Sequence, residues 1–229
     1  MTDTPLPLLS LLETRVLGVL VEKQHTVPDT YPLTLNALVA GCNQKTSRDP
    51  VLEATDTEVQ AAVDQLRSLS LVVESSGGRV MRYAHNAERV LHVPSQAVAL
   101  LATMMLRGPQ TIGELRINCE RLHAFADLSA AQGFLDELAV RPAGALALLL
   151  PRRPGEREAR WMHLLAGAPD PADAPSREPR TPRGNDTADV GVAEIAALKA
   201  NLAQVSAELA AVKATVARLC AELGVRGDD

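Results

Sequence analysis

Histidine, cysteine and paired carboxylates are the side chains best suited to acid–base, nucleophilic or metal chemistry, so their spacing is the first test for an active site. The five histidines, His25, His85, His92, His123 and His163, stand in separate segments. They show no H-x-x-x-H spacing and no cluster of cysteines or carboxylates at ligand distance. The three cysteines, Cys42, Cys119 and Cys220, lie far apart and are odd in number, which predicts buried or inert thiols in a cytoplasmic protein. Neither a glycine-rich phosphate loop nor a G-x-S-x-G elbow occurs. Asp49-Pro50 and Glu22-Lys23 resemble acid–base pairs, but helix capping and surface ion pairing explain such neighbours more simply. The sequence therefore predicts no enzyme, no cofactor and no metal.

Arginine is the side chain that clusters. Arg152, Arg153, Arg157 and Arg160 fall in the single string RRPGEREAR. On the tip of a β-hairpin, such a group suits phosphate contacts or a narrow minor groove. Arg79 and Arg82 stand beside the Gly77-Gly78 turn, and NQKTSRDP carries Lys45 and Arg48. Gln60 and Gln65 supply amides of the type that reads base edges. Opposing terms exist. Glu156 and Glu158 can neutralise part of the arginine group, and NQKTSRDP can equally be loop chemistry, with Asn and Asp bonding local backbone. The net charge of −5 argues against a protein that coats nucleic acid through bulk charge. Aromatics at 2% exclude binding by base stacking. The acidic excess belongs to the first half and the tail, while the second half is slightly basic.

The elements that must position these groups read as two similar units. In the first, Ser10 and Glu13 form an S-x-x-E capping box before an apolar run through Val21. Pro32 opens a short helix bearing Leu35, Leu38, Val39 and Cys42. Thr55 and Glu58 cap a third helix, and LVVE, SSGG and RVMRYA form a hairpin. In the second, Ser95 begins a helix that Gly108-Pro109 stops, Thr111 and Glu114 cap the next, and Ser129 and Gln132 cap the third. ALALLLP and ARWMHLL then flank a second hairpin. Helix, helix, helix, hairpin is the plan of a winged helix. The third helices are poor in cations: Arg67 stands alone on the first, while the second presents Asp136 and Glu137.

The predicted fold is mainly α with small β-hairpins: winged-helix units at 1–90 and 91–166, a Pro- and Ala-rich flexible linker at 167–191, and a helix at 192–224. In that helix Ile195, Leu198, Leu202, Val205, Leu209, Val212, Val216, Leu219 and Leu223 keep an unbroken 3-4 spacing. Glu194 and Glu208 at g meet Lys199 and Lys213 at e in a parallel pair, which predicts a homodimeric coiled coil. The alternative is an amphipathic helix docked on its own domains. No apolar run is long enough to span a membrane, and MTDTPLPLLSLLETR has no basic stretch before its leucines, so neither a membrane span nor a secretory signal is expected.

LGVLVEKQ, PDTYPLTLNALVAGCNQKTSRDP, LRGPQTIGELR and LPRRPGEREARWMHLL resemble the bacterial YceH-like family of uncharacterised proteins over about residues 8–166, and the C-terminal heptads resemble that family's usual ending. The resemblance implies a tandem winged-helix fold and no established chemistry. Two functional expectations follow: a dimer that binds duplex DNA through wing arginines, or a protein-interaction scaffold without intrinsic DNA binding.

Overall fold

Three Ser/Thr-x-x-Glu strings set the starts of three helices. Ser10, Thr55 and Thr111 each accept the backbone N–H of the glutamate three residues on, and each glutamate reaches back to the cap's own N–H. They open α1 (Leu11–Thr26), α3 (Asp56–Ser68) and α6 (Ile112–Cys119). The computed structural model describes residues 8–76, 80–152 and 155–168. The linker from Pro169 onward, the nine heptad positions from Ile195 to Leu223, and Arg79 and Arg153 lie outside the described residues.

The remaining helices are α2 (Leu35–Cys42), α4 (Ala87–Leu91), α5 (Ser95–Arg107) and α7 (Leu128–Ala139), with a single 3-10 turn at Pro28–Thr30. Two antiparallel hairpins pair β1 (Val72–Ser75) with β2 (Arg82–His85) and β3 (Ala147–Leu149) with β4 (Trp161–His163). The architecture is thus mixed, helical with two small hairpins, and the order helix, helix, helix, hairpin occurs twice.

Three boundaries differ from those the sequence predicts. Thr34, not Pro32, caps α2, because its side chain accepts the Ala37 N–H. Asp127, not Ser129, caps α7, bonding the Ala130 N–H at 2.7 Å. The second strand of the first hairpin begins at Arg82, leaving Val80 and Met81 outside it.

Each hairpin is tied to its helices in the same way. Leu33 and Tyr83 exchange a pair of backbone hydrogen bonds, at 3.0 and 2.8 Å, and so do Gln110 and Trp161, at 3.0 and 2.7 Å. Leu33 immediately precedes the cap of α2, and Gln110 immediately precedes the cap of α6. In both halves the returning strand therefore bridges to the residue just before the cap of the second helix.

The core is continuous through both halves. α1 buries every residue from Thr14 to Val21, and α5 every residue from Ala97 to Leu106. Helical stretches buried on all sides must be surrounded by other elements. α1 packs on α2 and α3 and also on α5, while α5 packs on α6, α7 and β4. The described residues between 8 and 168 accordingly form one compact unit.

Candidate functional site

The two hairpins place equivalent arginines inward. Arg82, one residue before the bridged Tyr83, donates through Nη1 to the carbonyls of Pro32 at 2.7 Å and Thr30 at 3.2 Å. Arg160, one residue before the bridged Trp161, donates to the Pro109 carbonyl at 3.3 Å and the Glu114 carboxylate at 2.9 Å. Its Nε also faces Glu156 at 3.6 Å. These two arginines clamp strand to helix start. Pattern reading singles both out for nucleic-acid contact and misses this clamping role, although a short repeat signals it: Pro-Leu-Thr with Arg-Tyr in the first half, and Pro-Gln-Thr with Arg-Trp in the second.

Arg48 is also turned inward. Its guanidinium is fully buried and grips both carboxylate oxygens of Glu22, at 3.1 and 2.6 Å. It also donates to Gln44 Oε1 at 2.6 Å and to the carbonyls of Gly41 and Ser47. Beside it, Arg15 is buried with no carboxylate partner among the described residues. It donates to the carbonyls of Cys42 at 3.2 Å and Pro50 at 2.6 Å, and its Nε is sealed without a partner. Burial, reinforced by the Arg48 charge, lowers the pKa of Arg15. Burial alone would raise the Glu22 carboxyl, but hydrogen bonds and charge from Arg48, aided by Lys23, hold it below its ordinary value.

Among the other sequence candidates, Gln60 accepts from the Tyr83 hydroxyl at 3.1 Å and donates to Asp64. Lys45, Gln65, Arg152 and Arg157 are exposed. Cys42 and Cys119 are buried, and burial pushes their thiols up to about 12 and about 11, away from thiolate chemistry. Among the described residues, no three His, Cys, Asp or Glu side chains converge as a metal site.

NQKTSRDP brings together a site that the sequence did not show. The Asp49 N–H bonds the Leu106 carbonyl at 2.8 Å, and Arg107 Nη2 donates to Ser47 Oγ at 2.8 Å, so the loop is docked on the end of α5. Asn43 pairs with the Ala54 backbone in both directions at 2.8 Å. Between this loop, the start of α6 and β4 lies a polar cleft of about 370 Å³. Ser47, Asp49, Arg107, Gln110, Asn118 and Arg160 are among its lining residues. Gln110 is held by the Thr103 and Gly108 carbonyls and accepts from Asn118 Nδ2 at 2.7 Å. Arg107 closes an otherwise uncharged helix just before Gly-Pro, the one local cue that a charge is needed there.

Comparison with known proteins gives a family and no activity. The family described as "Protein of unknown function, DUF480" matches residues 9–156. A "UPF0502 protein" of Dechloromonas aromatica is 57% identical over 88% of this chain and 94% of its own length. One of Methylibium petroleiphilum is 58% identical over 88% and 84%, and one of Burkholderia multivorans 63% identical over 72% of each chain.

Proposed function

The chain belongs to the DUF480 family of proteins of unknown function, and from that premise we propose that it is a non-enzymatic tandem winged-helix protein of the cytoplasm, YceH-like, acting as a protein-interaction scaffold. The repeated order of elements supports the winged-helix reading, together with the bridge from each hairpin to the residue before its second helix.

One observation carries the scaffold reading: both hairpins offer aliphatic side chains to solvent. Val73, Val80 and Met81 on the first, and Leu148 and Leu149 on the second, are each more than a third exposed. Apolar groups on projecting ribbons suit a protein surface better than a phosphate backbone. The cations meanwhile withdraw, since Arg48, Arg82 and Arg160 are each engaged within the protein. The heptads from Ile195 to Leu223 support pairing of two such scaffolds through a parallel coil.

The second reading, binding of duplex DNA, rests on Arg152 and Arg157, which remain exposed on the second hairpin. Capture from a nuclease-treated lysate on the full chain separates the two. A scaffold retains its partner after nuclease treatment and loses it when Leu148→Asp and Leu149→Asp are combined. Loss of every partner with nuclease overturns it. DNA binding is then established if mixed-sequence duplex binds at low salt and Arg152→Ala with Arg157→Ala flattens the salt slope.

A further inference from the structure

The cleft beside NQKTSRDP is lined by ionised groups of both signs, and most of them neutralise one another. Arg48 is saturated by Glu22, and Arg160 by Glu114 and Glu156. Two remain. Arg107 is half-buried, yet only one of its guanidinium donors is used among the described residues, on the Ser47 hydroxyl. An arginine offers five such donors in a planar fork shaped for a carboxylate. The Asp49 carboxylate has neither a hydrogen-bonding nor an ion-pairing partner among the described residues. It lies over the Gly108 backbone, with Oδ2 3.5 Å from where a Cβ would stand. Arg107 and Asp49 line the same cleft without closing on each other as an ion pair.

That arrangement selects by charge. A dianion meets repulsion from Asp49 and Glu114, and a simple cation meets Arg107. An apolar molecule finds Pro109 as its sole apolar neighbour among the lining side chains. A molecule carrying one carboxylate and one ammonium group satisfies both unpaired side chains at once. We propose that the cleft binds a small zwitterion of the α-amino-acid class, with its carboxylate on Arg107 and the Ser47 hydroxyl and its ammonium group on Asp49. Ser47 suits a carboxylate because its oxygen already accepts from Arg107, which leaves its own O–H to donate. The backbone of the cleft is held in advance. The Arg48 side chain and the Asp49 backbone anchor the loop to α1 and α5, and Gln110 is bonded on both sides, so the ligand has only the Asp49 and Arg107 side chains left to order. A volume of about 370 Å³ lies at the small end of ligand pockets, as an amino acid requires. This inference is independent of whether the hairpins bind protein or DNA.

The test is calorimetric titration of the full chain with each of the common L-amino acids. At least one should bind with a Kd of about 1 mM or tighter. The N-acetyl and C-amide derivatives of that amino acid should each bind at least about tenfold more weakly, since each loses one charge-assisted contact. Arg107→Gln and Asp49→Asn should do the same to the parent amino acid. Absence of any binder at that affinity overturns the proposal, as does equal binding of either blocked derivative or unchanged binding to either variant. If a variant fails to fold, the blocked derivatives on the natural chain still decide.

Discussion

Arg48 and Glu22 set a local energetic scale, because a fully buried guanidinium meets a mostly buried carboxylate in a two-pronged ion pair. Removing one partner leaves the other charge stranded, so Arg48→Met should cost about 3–5 kcal/mol in urea denaturation. Combining it with Glu22→Gln should recover much of that loss. The pH dependence has a definite sign. Glu22 is held below its ordinary value, so its contribution is complete above the carboxylate range and is lost as pH falls through it. His163 acts at milder acidity. Burial pushes it from 6.5 down to about 4, with Nδ1 sealed and without a partner among the described residues. It is neutral when folded and takes a proton when unfolded, so stability should fall as pH drops from 6.5 towards 4. His163→Phe should reduce the slope of unfolding free energy against pH by about 1.4 kcal/mol per unit in that window. An unchanged slope sinks the assignment. These roles were not legible in the sequence, where Arg48 stands in the most polar string of the first half. Its burial is decided by Glu22, 26 residues away, and nothing local encodes that.

Helix starts were legible wherever the cap and its reciprocal glutamate share a fixed spacing, as at Ser10, Thr55 and Thr111. Where the cap stands alone, at Thr34 and Asp127, a nearby Pro or Ser-x-x-Gln drew the boundary by two residues. α4 escaped notice because five residues are too few to show a period. Packing between elements is encoded at another level, and two glycines show it. Gly41 of α2 faces α1, and a Cβ there would stand 2.6 Å from Val19 Cγ1, a stiff β-branched group in the core. Gly133 of α7 has nothing within 4 Å of the same position. Helix propensity favours alanine by about 1 kcal/mol at both. Gly133→Ala should therefore raise the thermal midpoint. Gly41→Ala should lower it, since overpacking a core costs about 1–3 kcal/mol. Two midpoints moving in the same direction would contradict the close α1–α2 contact.

At the scale of the molecule, the decisive pair is α1 and α5, one from each half of helices followed by a hairpin. Eight consecutive residues of α1 and ten of α5 are buried, a pattern that one half alone cannot cover. Gly18 permits the close approach: a Cβ there would stand 3.1 Å from Leu106 Cγ and Cδ2, and 3.3 Å from Met105 Cβ. The helical repeat was legible from the sequence, but this contact was not, because a helix buried on every side names no partner. Further ties cross the same boundary. The Leu9 N–H bonds the Leu165 carbonyl at 2.8 Å, and the Asp49 N–H bonds the Leu106 carbonyl at 2.8 Å. The unit from 8 to 168 should therefore unfold in one cooperative step, followed equally by Trp161 fluorescence in the second half and by helical circular dichroism over both. A chain of residues 91–168 alone would expose the α5 face that Gly18 and its neighbours cover, and it should lack a cooperative melt. Two separable transitions in the whole protein, or a sharp melt of the isolated second half, would show that each half closes its own core and that the α1–α5 pairing is incidental to stability.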